Sequence, residues 1–259
     1  MFKRKGVRCF MSSQYEGFCR LCGYYKKLSF EHIPPKKAFN EHMRVLRTAQ
    51  DHLSGRQLSK YRKGLGQYSL CERCNNLTGA WYGDAFVAWT KQGFEWFDKV
   101  KGEMALNLPY YIRPLNVLKQ AVVMSLALSP ETSIQHNQEL RQFVLHPKQK
   151  YLPGDTRIFV YFCMDGDVRF ASGMAILDAF GGGSEFVIAE VAVPPFGYCI
   201  TAPIGDRKSL AEEKGLFDIS WFSRFGYNEW TQIHLRLPTR SAAMPFPLDY
   251  RNKFGEENL

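Results

Sequence analysis

The sequence lacks any uninterrupted hydrophobic run of the roughly 18 to 20 residues that a membrane-spanning helix needs. Its first stretch, MFKRKGVRCFMSSQYEG, is basic but has no long apolar core and no small-residue cleavage site, so we expect no signal peptide. Internal repeats and long low-complexity segments are also missing. These absences argue against membrane-spanning, secreted and repeat-protein classes, and we expect a globular, cytoplasmic protein.

The number and distribution of the cysteines argue against a disulfide framework. The 259 residues include seven cysteines, an odd number, and four of these form two Cys-x-x-Cys pairs. In an intracellular chain such pairs are typical of metal sites rather than of disulfides. The pairs are Cys19 with Cys22 and Cys71 with Cys74.

Two Cys-x-x-Cys turns provide four thiolates, which is the complete tetrahedral ligand set of a structural zinc ion. Redox chemistry and chance are the alternatives, and either would account more readily for one pair than for two. A closed shell of four sulfurs leaves no open coordination position for a substrate. The predicted zinc ion is therefore structural, and any catalytic chemistry must lie elsewhere.

Acidic residues are few in the first half of the chain. Residues 1 to 130 contain 21 Lys and Arg against nine Asp and Glu, a formal charge of +12, whereas residues 131 to 259 have a formal charge of −3. A basic half favours a polyanionic partner such as nucleic acid. The alternative is a solvated basic face without a partner, and charge alone does not decide between the two.

Two segments in the middle of the chain have the periodicity of helices. The segment RPLNVLKQAVVMSLALSP begins with Pro114 and ends before Pro130, both of which are plausible helix boundaries. The segment DAFVAWTKQGFEWFDKV places four of its five aromatic residues roughly on one helical face, where burial is favoured over base stacking. These residues are Phe86, Trp89, Phe94 and Phe97.

From about residue 151 the pattern changes to short runs rich in Val, Ile, Phe and Tyr, separated by turn residues. Examples are TRIFVYFCMD, DVRFASGMAILD, EFVIAEVAV and GYCITAP, and WTQIHLRLP is a further candidate strand. We therefore predict an α+β protein in three parts. A zinc-stapled module spans residues 1–83, a helical connector spans 84–147, and a β-rich C-terminal domain of unassigned role spans 148–259.

The order of motifs in the first part resembles the HNH endonuclease family. That family has a treble-clef, ββα-metal core that four cysteines often hold together. Its pattern is an acidic residue followed by histidine on a hairpin strand, then a His or Asn directly after the last cysteine. Here Glu31 and His32 in FEHIPP, and Asn75 in CERCNN, stand at those positions. The resemblance covers residues 19 to about 80, less than a third of the chain.

The resemblance implies a role for each of these residues. His32 would be the general base that activates water, and an imidazole can titrate near neutral pH. Glu31 and Asn75 would bind a second, hard divalent ion, Mg²⁺ or Mn²⁺, through their side-chain oxygens. The chain departs from the family pattern in having Glu where Asp is commoner. Gln67 is only a weak match for the further polar residue of the hairpin.

Basic residues are concentrated in and just before a long insertion, residues 40 to 66, between the two hairpin strands. Within it, FNEHMRVLRTAQDHL is predicted to form a surface helix. Tyr61 and Tyr68 are interleaved with the basic residues, an arrangement that can contact phosphates and stack on bases. The residues predicted to contact nucleic acid are Lys36, Lys37, Arg44, Arg47, Lys60, Arg62 and Lys63.

These features lead to two hypotheses about function. The first is a metal-dependent endonuclease that hydrolyses phosphodiester bonds, with DNA favoured over RNA by the resemblance and with restriction or phage defence as the analogous role. The second is a non-catalytic zinc module that binds nucleic acid or a protein, in which Glu31 pairs with Lys36 or Lys37 and Asn75 only caps a helix. For the C-terminal domain, a protein partner and self-association both remain open.

Overall fold

The fold is built from one small antiparallel sheet, one large mixed sheet and the helices between them. The computed structural model describes residues 15–41, 44–48, 59–61, 64–100, 105–163, 168–177, 184–203 and 215–240. The strands are β1 (Glu16–Phe18), β2 (Tyr25–His32), β3 (Arg44–Thr48), β4 (Ser59–Tyr61), β5 (Gly66–Cys71), β6 (Ala105–Ile112), β7 (Arg157–Cys163), β8 (Val168–Leu177), β9 (Ser184–Val193), β10 (Phe196–Pro203), β11 (Phe217–Asp218) and β12 (Thr231–Arg240). The helices are α1 (Glu72–Thr78), α2 (Asp84–Val100), α3 (Pro114–Leu128) and α4 (Gln138–Leu145), and a π-helical turn (Gly79–Gly83) joins α1 to α2.

The small sheet contains the strands that adjoin the two cysteine pairs and has the strand order β1-β2-β5. In the β2–β5 pair, Leu28 lies opposite Cys71 and Glu31 lies opposite Gln67. The register shifts by one residue between Ser29 and Phe30. Helix α1 follows β5 directly and packs against both β2 and β5, so the second cysteine pair and the Glu31–His32 strand lie side by side.

The large sheet is mixed and has the order β4-β3-β8-β9-β10-β7-β12-β6, with β11 attached to β7. Strand β3 pairs in parallel with β8. Strand β12 is antiparallel to β6 along its length and parallel to the end of β7. The sheet therefore draws strands from all three predicted parts of the chain.

Helix α3 forms the centre of the core. Every residue from Pro114 to Ala127 is buried, because the helix is apolar on most sides and is enclosed by other elements. It packs against α2, α4 and β5 and against β8, β9 and β10 of the large sheet. The buried Lys119 is satisfied by α4 and the residues that follow it: its Nζ donates hydrogen bonds to the carbonyl oxygens of Phe143, His146 and Pro147.

The α+β class and both predicted central helices are confirmed, with α2 beginning at Asp84 and α3 at Pro114. Two predictions of secondary structure are wrong. Residues 105–112 of the connector form β6, because they complete a ladder with the distant β12. Residues 44–48 form β3 rather than part of a surface helix, because they pair with β8. Among the described residues, no helix is both long and apolar enough to cross a membrane.

Candidate metal and catalytic site

The four cysteines of the two Cys-x-x-Cys pairs converge on one point. Their sulfur atoms all lie within 4.8 Å of one another, and the Sγ atoms of Cys22 and Cys71 are 3.9 Å apart. A tetrahedral zinc site with Zn–S bonds of about 2.3 Å requires sulfur–sulfur separations of about 3.8 Å. The described residues therefore hold a four-cysteine cluster of the size that a structural zinc ion needs.

The local backbone explains how the first pair forms its turn. Cys19 and Cys22 follow β1 in a tight turn closed by a hydrogen bond of 2.8 Å from Gly23 N to Cys19 O. Gly23 adopts φ +76°, a left-handed conformation that glycine accepts without strain. In the second pair, Cys71 ends β5 and Cys74 lies on the first turn of α1. Each pair thus brings its two sulfurs to one side.

The electrostatics of the cluster also suit metal binding. A hydrogen bond with Cys74 lowers the pKa of Cys19 to about 4, while the same contact and burial raise the pKa of Cys74. Crowding of thiols in a partly desolvated space makes one of them the preferred thiolate. Thiolate is the form that binds zinc. The four cysteines can therefore hold a structural zinc ion.

Two arginines fix the first cysteine turn onto the helical core. Arg20 Nε donates to Ser129 O at 3.0 Å, just beyond the end of α3. Arg141 Nε, from α4, donates to Leu21 O at 2.6 Å. Sequence reasoning did not single out either arginine, because nothing in its local sequence indicates a contact more than 100 residues away. The cluster is consequently anchored from outside the small sheet as well as within it.

Helix α1 places Asn75 against β2. Its Nδ2 donates hydrogen bonds to Ser29 Oγ at 3.1 Å and to Phe30 O at 3.2 Å. Asn75 is not a helix cap, since the N-cap residue of α1 is Cys71. The two hydrogen bonds use the amide nitrogen, so the oxygen Oδ1 lies outside them. Asn75 is thereby held one residue along β2 from Glu31.

Glu31 is buried within the same sheet, with 7% of its surface exposed. Burial raises the pKa of its carboxyl group to about 8, since desolvation penalises the charged form. The alternative ion pair with Lys36 or Lys37 is not formed among the described residues. A buried carboxylate with no cation beside it is costly at neutral pH, so this position favours either protonation or a bound cation.

His32 ends β2 and is half-buried. Its ring meets the Phe30 ring edge-on, with 5.0 Å between the centroids. The loop that follows is held by the fully buried Asn40, whose side chain donates to Pro34 O at 2.7 Å and accepts from Leu65 N at 2.7 Å. This clamp fixes the loop leading away from His32, and sequence reasoning did not find it because Asn40 belongs to no recognised motif.

The structure describes five of the seven residues that were predicted to contact nucleic acid. Lys36 and Lys37 are exposed in the loop just after His32. Arg44 and Arg47 lie on β3 and Lys60 lies on β4, whereas Arg62 and Lys63 lie outside the described residues. Gln67, the weak match for a further polar residue, donates a hydrogen bond to the carbonyl oxygen of Ala127 and so links β5 to α3.

Comparison with known proteins identifies no relative. No protein-family model matches the sequence, and no match was found among curated proteins or among solved structures. The function of the site therefore has to be argued from its own residues.

Proposed function

We propose that the protein is a metal-dependent endonuclease that hydrolyses phosphodiester bonds, with DNA as the favoured substrate. One observation carries the proposal: helix α1, which contains Cys74, holds Asn75 by hydrogen bond to β2 at Phe30, beside the buried Glu31. The resemblance to HNH enzymes requires a strand carrying an acidic residue and histidine to lie next to a helix that starts at the last cysteine pair. The packing of α1 against β2 supports that requirement.

Glu31 and Asn75 suit a hard divalent ion by their chemistry. Carboxylate and amide oxygens are ligands that Mg²⁺ and Mn²⁺ prefer. The Glu31 carboxyl is buried without a neutralising partner among the described residues, and the Asn75 nitrogen is already engaged with β2. A cation bound there would supply positive charge for the scissile phosphate and the leaving oxygen.

His32 would act as the general base. In the proposed step its imidazole accepts a proton from water, and the resulting hydroxide attacks phosphorus. The bond from phosphorus to the leaving sugar oxygen breaks, and that oxygen takes a proton from solvent. The position of His32 at the end of β2, next to Glu31 and before the clamped Pro34 loop, supports this role because a base must be held in a fixed orientation.

The second candidate is a non-catalytic zinc module that binds nucleic acid or a protein. The burial of Glu31 favours it, because a carboxyl group with a pKa near 8 can also be a neutral, structural group at physiological pH. In that case His32 contributes only to the packing around Phe30. The two candidates therefore differ in what the loss of the His32 side chain does to turnover.

The deciding experiment is a cleavage assay on zinc-loaded protein with supercoiled plasmid, single-stranded DNA and RNA, with Mg²⁺ omitted or added. We expect Mg²⁺-dependent cleavage that falls by a factor of about 10² to 10⁴ in His32→Ala, the range typical of a lost general base. His136→Ala, at an exposed histidine of the loop before α4, is the matched control and should keep full activity. Absence of cleavage by the wild-type protein on all three substrates, with nucleic-acid binding retained, would favour the non-catalytic module.

A further inference from the structure

Four aromatic rings from three chain segments form a continuous row that ends at His32. Tyr15 and Tyr68 are stacked, with ring centroids 3.7 Å apart and an angle of 13° between the planes. Tyr68 then meets Phe30 edge-on at 5.4 Å, and Phe30 meets His32 at 5.0 Å. We call these four residues the ring row.

Strand order explains how the row is assembled. Tyr15 directly precedes β1 and Tyr68 lies on β5, and these two strands flank β2 on either side. Tyr15 O accepts a backbone hydrogen bond from Leu28 N, and Tyr68 is the ladder partner of Phe30. The two tyrosines therefore meet across β2, and the row continues along that strand to the proposed catalytic residue.

The outer rings of the row are not core residues. Tyr15 is 51% exposed and Tyr68 is 41% exposed, whereas Tyr82 and Trp89 of the helical core are fully buried. Stacking on each other holds the two tyrosine rings nearly parallel while leaving much of their surface in water. Exposed, pre-ordered aromatic faces are a recurrent platform for the bases of single strands.

Positive charge lies at both ends of the row. Lys26 and Lys27 are exposed on β2 on one side, and Lys36 and Lys37 are exposed beyond His32 on the other. Lys26 Nζ lies 5.9 Å from the ring centroid of another exposed aromatic residue, Tyr24. Aromatic faces flanked by lysines can contact the bases of a nucleic-acid strand and the phosphates on either side of them.

We propose that the ring row binds unpaired bases of a single-stranded nucleic acid and delivers the adjoining phosphate to His32. This inference rests on the proposed nuclease function and specifies its substrate class. A base within a duplex is already stacked on its neighbours and paired, so its face is closed to Tyr15 and Tyr68. The ring row therefore selects single strands, or duplexes that are locally opened, over intact duplexes.

The test measures binding rather than cleavage, using the zinc-loaded full chain without Mg²⁺ and fluorescently labelled oligonucleotides of one length. We expect single-stranded DNA and RNA to bind more tightly than duplex, because the bases of a duplex are already paired and stacked. The two kinds of single strand should bind alike, because the rings contact bases and not the sugar. Tyr68→Leu should weaken single-strand binding about tenfold, and Tyr68→Phe should not. An oligonucleotide with abasic sites, which has the same charge, should bind as weakly to wild type as the intact strand binds to Tyr68→Leu.

Tyr111→Leu is the matched control. Tyr111 is also an exposed tyrosine in a stacked pair, with Trp230 at 5.0 Å, but it lies on β6 far from the ring row in sequence. It should leave oligonucleotide affinity unchanged. Zinc content and thermal unfolding of Tyr68→Leu show whether that variant has kept its fold, and the quenching of a 2-aminopurine base by the wild-type protein provides a readout that needs no variant.

The outcomes separate this inference from the proposed function. Tighter binding of duplex, equal affinity for abasic and intact strands, or equal losses in Tyr68→Leu and Tyr111→Leu would overturn the inference even if the protein cleaves nucleic acid. Base-dependent binding that requires the Tyr68 ring, in a protein that never cleaves, would support base binding by the ring row and would contradict the proposed nuclease function. If this surface instead binds an acidic protein through charge alone, intact and abasic strands should bind equally well, and that result again overturns the inference.

Discussion

Asn75 of helix α1 donates a side-chain hydrogen bond of 3.2 Å to the backbone carbonyl oxygen of Phe30 in β2. This bond, with its companion to Ser29, joins the element that contains the second cysteine pair to the strand that contains Glu31 and His32. The Asn75 amide therefore adds to the β2–β5 ladder in fixing the relative position of the proposed metal ligands.

Asn75→Ala should lower the free energy of unfolding by about 1–2 kcal/mol, because two partly buried hydrogen bonds are lost. It should also abolish Mg²⁺-dependent cleavage if Asn75 is a ligand. Chemical denaturation and the plasmid assay measure the two effects. Asn76→Ala, at the exposed neighbour, should change neither quantity, and equal effects of the two variants would contradict the assignment.

Removal of one cysteine ligand should abolish zinc binding. We expect the wild-type protein to contain one tightly bound zinc ion per chain and Cys74→Ser to contain none, with a lower melting temperature, since structural zinc contributes folding energy directly. Elemental analysis and thermal unfolding measure this. Cys163→Ala, at a buried cysteine of β7, should keep its zinc, and a zinc-free wild type would refute the site.

Gly66→Ala should disrupt the strand pair that supports the site. A Cβ at Gly66 would collide with the carbonyl oxygen of Glu31 and come within 2.7 Å of the Phe30 ring. We expect a loss of about 1–3 kcal/mol in the free energy of unfolding, the usual cost of overpacking, together with reduced cleavage. Denaturant titration measures the first effect and the plasmid assay the second.

Gly79→Ala is the control for that substitution. Gly79 has helical dihedral angles, φ −58° and ψ −43°, and a Cβ there meets nothing within 4 Å. Alanine should stabilise the protein by about 0.5–1 kcal/mol, because the unfolded chain loses conformational freedom. Similar destabilisation at both glycines would show that close packing around Gly66 is not the cause.

Stability should depend on pH through Lys119. Burial lowers the pKa of this lysine to about 7 from its ordinary value of 10.5, so between these values the unfolded chain binds more protons than the folded chain. The free energy of unfolding should therefore rise with pH across this window, by at most about 1.4 kcal/mol per pH unit. Below pH 7 this gain in the free energy of unfolding is absent, because Lys119 is protonated in both the folded and the unfolded chain.

Lys119→Met lacks this titration and should show a flatter pH profile than the wild-type protein. Urea denaturation at pH 7 and pH 9 measures the difference. The variant also loses the hydrogen bonds to Phe143, His146 and Pro147, so it should be less stable than the wild-type protein at pH 9, where the wild-type protein has already gained part of its pH-dependent stability. Parallel profiles for the two proteins would refute the lowered pKa.

Local sequence patterns correctly predicted the features that are determined by residues close together in the chain. The cysteine spacing predicted the cluster of four sulfurs, and Pro114 with the aromatic spacing after Asp84 predicted both central helices. Strand β6 was missed because ALNLPYYI contains a proline and, among the described strands, pairs with β12 alone, more than 100 residues later. The β3 strand was missed because its pairing with β8, more than 100 residues later, outweighs the local helical preference.

The residues of the candidate site also fall into those that local sequence patterns predicted and those that they did not. Glu31, His32 and Asn75 could be picked out because they stand at fixed places beside the cysteine pairs. Asn40, Arg20 and Arg141 could not, because each acts through backbone carbonyl oxygens that are close only after folding. The ring row was foreseen at Tyr68 alone, since its alignment with Tyr15, Phe30 and His32 follows from the order of three strands.

The parallel pairing of β3 with β8 has a practical consequence for anyone dissecting this chain. A fragment that stops near residue 83 would keep the two Cys-x-x-Cys pairs but would expose one side of β3 and the face of β5 that α3 covers. Unpaired strand edges and bare apolar faces promote aggregation. Insolubility of such a fragment would reflect the missing half of a shared sheet, so assays for the four-cysteine cluster and for cleavage belong on the whole 259-residue chain.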